Sequence, residues 1–334
     1  MFFENKKILV IGGTGTIGKR LLQHILAETP EVIRVLSRDE HKQYMLQNTL
    51  GLRKDMRYLI GDVRDYDRVL TAMEDIDYVF HVAALKHVPA CEYNPYEAVL
   101  TNVVGTNNVI RAAREQNVKK VIFTSSDKAI SPTNTYGATK LTAERMLVAS
   151  ENNKGTSRTI FSIVRFGNVI GSRGSVIPLF INQIVNDRRI TVTKQEMSRF
   201  MMTVDQATQL TIKAMKEAKG GEIFVLKMPV IVLRDLVKVI TEETCKKYHI
   251  DVEEIEIQEI GIRPGEKMYE ELMTYDESVA AWELSDMFII PAIGGSRKNY
   301  ENAVKAKEGT YSSAKQKVIL PEEVRRLVLE QDLI

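Results

Sequence analysis

The sequence predicts an α/β protein: a doubly wound parallel sheet with a smaller, mixed C-terminal region. Three observations lead there. The uninterrupted apolar run Lys7-Ile8-Leu9-Val10-Ile11 has the pattern of a strand buried on both faces. A glycine string, Gly12-Gly13-Thr14-Gly15-Thr16-Ile17-Gly18, follows at once and opens helix-compatible residues from Lys19 to Ala27. Apolar strands and helical segments then alternate, which gives parallel strands joined by crossovers on both faces.

Gly12, Gly15 and Gly18 permit a tight turn, let backbone approach a pyrophosphate, and let the helix sit close on the sheet. The pyrophosphate would lie at the helix N-terminus, where free N–H groups and the macrodipole favour an anion. Gly12, Thr14, Gly15, Thr16 and Ile17 are therefore expected cofactor contacts. The second strand, Val32 to Leu36, ends in Ser37-Arg38-Asp39. A hydroxyl and a guanidinium suit a 2′-phosphate, so NADP is expected, while the carboxylate of Asp39 keeps NAD open. After a third strand, Met56 to Ile60, Asp62 is placed to accept from the adenine amino group, with Val63 beside it. The fourth strand, Asp77 to Ala84, ends in small residues, Ala83 and Ala84, that would let a cofactor lie close. Pro95 to Gln116 has helical character, with Ala98, Asn102, Gly105 and Val109 spaced along it.

Val121-Ile122-Phe123 is the next strand, and it runs into Thr124-Ser125-Ser126-Asp127-Lys128, then Tyr136-Gly137-Ala138-Thr139-Lys140, then a helix-like segment from Leu141 to Ala149. Tyr136 and Lys140 stand one helical turn apart. An ammonium there favours phenolate, which otherwise forms only near about pH 10. By itself the spacing fits a surface pair; its place after a strand of a dinucleotide fold makes Tyr136 a candidate base. Asp127-Lys128 adds a second acid/base pair. Thr159 to Phe166 is a further strand, ending in Gly167-Asn168-Val169. Beyond it strands shorten, with helices at Asp205 to Glu217 and around Leu233, Leu236, Val237 and Ile240. Arg173, Arg199 and Arg263 lie in Gly-, Ser- or Pro-flanked turns and suit a second anion such as a diphosphate. Gly294 to Lys317 is polar and expected as loop, before an amphipathic helix that starts at Pro321.

Composition narrows the class. The 334 residues are 44% hydrophobic and 27% charged, ordinary for a soluble enzyme-sized chain. A net charge of +2 gives no electrostatic case for nucleic acid or an anionic membrane. Two cysteines, Cys91 and Cys245, are too few for a disulfide framework or a cysteine zinc site and suit a reducing cytosol. No metal is expected, because the histidines lack ligand spacing; His81 and His87 read as structural or substrate-lining. No segment approaches the roughly 20 apolar residues of a membrane span, and Ile8 to Ile11 carries no cleavage-site pattern, so a cytoplasmic protein is expected.

The strings SRDEHKQ, GDVRD, AALKHVPACEYNP, TSSDKAISPTNTYGATK, RFGNVIGSRGSVIP and GIRPGEKMYEEL, with the Gly-rich turn, resemble the inverting UDP-N-acetylglucosamine 4,6-dehydratases of the extended short-chain dehydrogenase/reductase superfamily. The resemblance runs from about Lys6 to Ile290 and includes the Asp127-Lys128 pair that marks the inverting group. It implies a Rossmann-type NADP-binding domain over 1–169, with later strand contributions around 203–227. A nucleotide-sugar-binding region would span 170–202 and 228–334. It further implies cofactor contacts from Lys42, Lys86, Asn102, Tyr136 and Lys140, and substrate contacts from Lys86, Asn168, Val169, Arg173, Arg199, Arg263 and Glu266. The partner implied is UDP-N-acetylglucosamine, the assembly a dimer or hexamer of this chain, and the pathway bacterial surface-sugar synthesis.

In the implied reaction Tyr136 takes the proton of the sugar 4-hydroxyl, Ser126 bonds the 4-oxygen, Lys128 is the base at carbon 5 and Asp127 the acid for the 6-hydroxyl. That assignment needs a neutral lysine beside a protonated aspartic acid. Reference values of about 10.4 and 3.9 put it roughly 9 kcal/mol uphill. A non-inverting dehydratase or a 4-epimerase would use the same scaffold, but an epimerase has no use for Asp127-Lys128. A non-catalytic NADP-sensing regulator would keep the Gly-rich turn without Tyr136 and Lys140.

Overall fold

A computed structural model describes residues 1–172, 174–292, 300–331 and 333–334. In its first half strands and helices alternate. They are β1 Lys7–Ile11, α1 Thr16–Leu26, β2 Val32–Ser37, α2 Glu40–Leu50, β3 Met56–Ile60, α3 Tyr66–Met73, β4 Tyr78–His81, α4 Val88–Tyr93, α5 Pro95–Val99, α6 Gly105–Glu115, β5 Lys120–Thr124, α7 Thr135–Asn152 and β6 Ile160–Arg165. The second half holds β7 Asn168–Val169, α8 Val176–Asp187, β8 Arg189–Val192, β9 Ser198–Met202, α9 Val204–Glu217, β10 Ile223–Leu226, β11 Val230–Val232 and α10 Leu233–Tyr248. It ends with β12 Glu256–Glu259, β13 Glu271–Met273, α11 Tyr275–Ala280, β14 Trp282–Glu283, β15 Met287–Ile290, β16 Val304–Lys305, β17 Tyr311–Ser312 and α12 Pro321–Leu329.

The main sheet has the order β16-β14-β15-β10-β6-β5-β4-β1-β2-β3. From β3 to β10 every neighbouring pair is parallel, whereas β15, β14 and β16 add on antiparallel. This is the predicted doubly wound, Rossmann-type fold. The chain reverses its direction of growth between β1 and β4, and crevices at such switch points, outside the carboxyl ends of the strands, are where ligands enter. Burial explains the strand sequences: Ile8, Leu9, Val10, Val79, Phe80, Val121 and Ile122 are fully buried, with helices on both faces. A second apolar cluster joins α8, β8, α10 and α12 through residues such as Phe180, Ile184, Ile190, Leu236, Ile240, Val324 and Val328.

Several boundaries differ from expectation. The helix after the glycine string starts at Thr16 rather than Lys19, because the turn passes directly into it. The helix expected from Leu141 starts at Thr135, capped by Asn134, whose Oδ1 accepts from Gly137 N at 2.9 Å, so Tyr136 and Lys140 both lie inside its first turns. The Pro95 to Gln116 segment is interrupted by a π-type turn at Leu100–Val104. The expected loop from Gly294 to Lys317 carries two short strands, β16 and β17, among its described residues and is otherwise loop, while 293–299 lie outside the described residues. No described helix is long and apolar enough to cross a membrane.

Candidate active site

The strand ends of β1, β4, β5 and β6 open into one cleft of about 950 Å³. At its floor Gly12 has φ +88°, and a Cβ there would stand 2.8 Å from Ala83 N and 2.9 Å from Ala83 Cα. Only glycine fits that left-handed backbone against β4. Gly15 N-caps α1 with no side-chain cap, so the helix N–H groups face the cleft with Thr14, Thr16 and Ile17. Thr14 Oγ1 and Ser37 Oγ share a hydrogen bond of 2.7 Å. Arg38 is half exposed and reaches Asp62 Oδ2 only loosely, at 3.6 Å. Asp62 is more tightly bound by Arg64, at 2.7 Å. The carboxylate of Asp39 is committed: its Oδ1 accepts from Lys42 N at 2.9 Å as the cap of α2, and it pairs with the Lys42 ammonium. Val63, Ala83, Ala84, Lys42 and Lys86 also line the cleft.

Asn102 does not line it. Its buried side chain accepts from Leu85 N at 2.9 Å and donates to Leu85 O at 2.9 Å and Thr139 Oγ1 at 3.0 Å. The residue expected to touch the cofactor instead ties the segment after β4 to α7. His81 is buried, donating to or accepting from Thr106 Oγ1 at 3.1 Å, and desolvation followed by the charge of Lys140 lowers it to about 3. It is structural, whereas His87 lines the cleft.

The proton-handling groups meet at the ends of β5 and β6. Ser126 Oγ donates to Asp127 Oδ1 at 2.8 Å, and Lys128 Nζ donates to the same oxygen at 3.2 Å. Lys128 Nζ is also 3.2 Å from Oε1 of Glu270, a residue the sequence reading did not single out. Asp127 and Glu270 are almost wholly buried. Burial alone would lower Lys128, but the charges of Asp127 and Glu270 outweigh it and hold the ammonium above its usual range. Held between two carboxylates, Lys128 keeps its proton, and the neutral form that the expected base role asks for is disfavoured. Burial first, then the charge of Asp127, pushes Glu270 up.

Tyr136 and Lys140 also depart from expectation. Burial lifts Tyr136 to about 12, against the opposing pull of a Ser126 hydrogen bond and the Lys128 charge. Lys128 is thus one cation that acts on the phenol. Lys140 Nζ donates to Thr124 O at 2.8 Å over the Phe123 ring, and burial lowers it to about 7. Side chains alone do not make Tyr136 a phenolate.

Of the expected anion-binding arginines, Arg199 and Arg263 do not converge. Arg199 lines the cleft, but its N–H groups go to Ser198 O at 2.8 Å, Lys267 O at 2.9 Å and Met268 O at 3.2 Å, so it holds the turn that carries Glu270. Arg263 is exposed and outside the lining, and Arg173 lies outside the described residues. Asn168, Val169 and Glu266 do line the cleft. Thr101, Ser125, Asp127, Ser175, Glu266 and Glu270 each place a buried side-chain oxygen with no hydrogen-bond partner there. Buried polar atoms are almost always paired, so this concentration marks a surface shaped for a polar ligand. Among the described residues no group of three or more His, Cys, Asp or Glu could hold a metal ion.

Residues 8–292 match the family described as polysaccharide biosynthesis protein. Over 290 residues the chain is 40% identical to a UDP-N-acetylglucosamine 4,6-dehydratase (inverting) of Campylobacter jejuni, covering 86% of this chain and 83% of that one. It is 38% identical over 343 residues to a UDP-glucose 4-epimerase of Rickettsia bellii, covering 99% and 98%. The X-ray structure of Pen from Bacillus thuringiensis shares 62% identity and a TM-score of 0.94 over 100% of both chains.

Proposed function

The chain belongs to the polysaccharide biosynthesis protein family, within the extended short-chain dehydrogenase/reductase fold, and on that premise we propose that it is an NADP-dependent UDP-N-acetylglucosamine 4,6-dehydratase that inverts carbon 5. The observation that carries this reading is Lys128 held between Asp127 and Glu270 beside Tyr136. A 4-epimerase moves one proton and one hydride at carbon 4 and gains nothing from a second, separate proton-exchange unit. Elimination of water across carbons 5 and 6 needs one proton removed and another delivered.

The dinucleotide fits the Gly12 cradle and the N-terminus of α1. Ser37 and Arg38 favour a 2′-phosphate, since Asp39 is already engaged by α2 and Lys42. When bound, the oxidised nicotinamide would supply a positive charge, the acceptor for the carbon-4 hydride and, once water has left, the donor of that hydride to carbon 6. Tyr136 then takes the proton of the 4-hydroxyl, and Ser126 orients the 4-oxygen. The resulting ketone acidifies the carbon-5 proton. Asp127, Lys128 and Glu270 form one proton-exchange unit, taking that proton and giving one to the departing 6-hydroxyl. The nucleotide sugar would be bound by 170–202 and 228–334, with Lys86, Asn168, Val169 and Glu266 toward it.

The Rickettsia bellii relative keeps a 4-epimerase as the second reading. Mass spectrometry of the product from UDP-N-acetylglucosamine separates the two. Loss of one water supports the dehydratase; an isomer of unchanged mass overturns it.

A further inference from the structure

We propose that Glu270 acts through Lys128 as the second carboxylate of the dehydration step, so that the proton unit has three members and not two. This rests on the dehydratase reading above. Each carboxylate spends one oxygen on the ammonium: Asp127 Oδ1 and Glu270 Oε1 both stand 3.2 Å from Lys128 Nζ. The other oxygen of each, Asp127 Oδ2 and Glu270 Oε2, is buried without a partner, and both residues line the cleft. Two carboxylates bridged by one ammonium, each with a free oxygen, can take a proton at one end and release one at the other. A purely structural counter-ion would not leave that oxygen unsatisfied, because a buried acceptor without a partner is destabilising.

Glu270 is also held in place. Its N–H donates to Ser313 Oγ at 3.0 Å, its carbonyl accepts from Ser313 N at 2.9 Å, and Ser313 Oγ meets Ser198 Oγ at 2.9 Å. Arg199 fixes the preceding turn through Lys267 O and Met268 O. β9, the turn before β13 and the segment after β17 therefore converge on one side chain. The charged and titratable groups facing it are Asp127 and Lys128 from the turn after β5, and Arg199, 3.9 Å away on β9. Tyr136 of α7 faces Lys128 in turn.

The step balances. The carbon-5 C–H bond breaks and its electron pair forms the carbon 5–6 double bond conjugated to the ketone. The carbon 6–oxygen bond breaks, and the oxygen leaves as water with a proton from the unit. One proton enters the unit and one leaves, with Lys128 retaining an ammonium before and after.

The test is Glu270→Gln, compared with Glu270→Asp, read by the pH profile of kcat/KM and by single-turnover formation of reduced nicotinamide. Removing the carboxylate charge lowers Lys128, so a reaction that needs the ammonium should lose its alkaline limb at lower pH. Elimination should fall about 10²- to 10⁴-fold, the usual range for losing an acid/base group, while oxidation at carbon 4 persists. Glu270→Asp should restore the limb in part. Unshifted limbs and full elimination in Glu270→Gln would overturn the proposal, as would faster elimination near neutral pH, which would mean that Lys128 works as a neutral base. Failure of the wild-type protein to release water would instead sink the dehydratase reading.

Discussion

Gly137→Ala is a single methyl aimed at the join between the two catalytic segments. Gly137 sits in the first turn of α7, one residue after Tyr136, and a Cβ there would stand 2.0 Å from the carbonyl oxygen of Lys128. Cβ atoms essentially never approach closer than 3.0 Å, so the helix and the Lys128 turn must part by at least the difference, 3.0 − 2.0 = 1.0 Å. The neighbour is backbone and cannot swing aside. Misplacing a reacting group by 1 Å costs about 10²-fold in rate, and overpacking a fitted contact costs about 1–3 kcal/mol of stability. The expected outcome (a hypothesis) is a folded protein that retains its dinucleotide but turns over about 10²-fold more slowly. Thermal unfolding, bound-nucleotide content and stopped-flow formation of reduced nicotinamide measure the three parts. Near-native turnover would show that the separation of Tyr136 from Lys128 does not set the rate.

Other outcomes are expected elsewhere. Arg38→Ala should weaken NADP about 10- to 100-fold, the value of a charge-assisted contact, and leave NAD little changed; equal loss of both would remove the 2′-phosphate role. Arg165 is buried against Glu144 at 2.7 Å and Glu277 at 3.0 Å, and Arg165→Met should cost about 3–5 kcal/mol because two buried carboxylates lose their cation. Chemical denaturation reads that loss directly, and a neutral result would contradict it. Lys140 is lowered to about 7 in the folded protein from its ordinary value of 10.5. Between those values the unfolded chain binds the extra proton, so this residue's contribution to stability rises with pH from about 7 toward 10. Lys140→Met should flatten that rise in melting temperature, and an unchanged slope would mean that Lys140 is not the group responsible.

The nucleotide half of the fold was legible because its signals are local. β1 and the glycine turn are adjacent in sequence, and Ser37-Arg38 and Asp62 follow their strands at once. The Tyr136 and Lys140 spacing was also read correctly as one helical turn. What the spacing could not carry was the rest of the electrostatics: it offered Lys140 as the cation for Tyr136 and did not show that the charge of Lys128 also bears on the phenol. Glu270 was missed because only tertiary folding brings it to Lys128, although it lies within GIRPGEKMYEEL. Asn102 and Arg199 share a feature that their place in the sequence does not show. Their donors and acceptors suit a ligand, but the backbone of Leu85 and of Lys267-Met268 takes them first.

The central claim is that one site oxidises carbon 4, eliminates water across carbons 5 and 6, and then returns the hydride to carbon 6 while carbon 5 is reprotonated. Proton NMR of the product formed from UDP-N-acetylglucosamine in deuterium oxide tests it most directly. The account predicts a 4-keto-6-deoxy sugar carrying deuterium at carbon 5, in the L configuration, with NADP recovered unchanged. A UDP-N-acetylhexosamine that keeps its carbon-5 proton and 6-hydroxyl would contradict it.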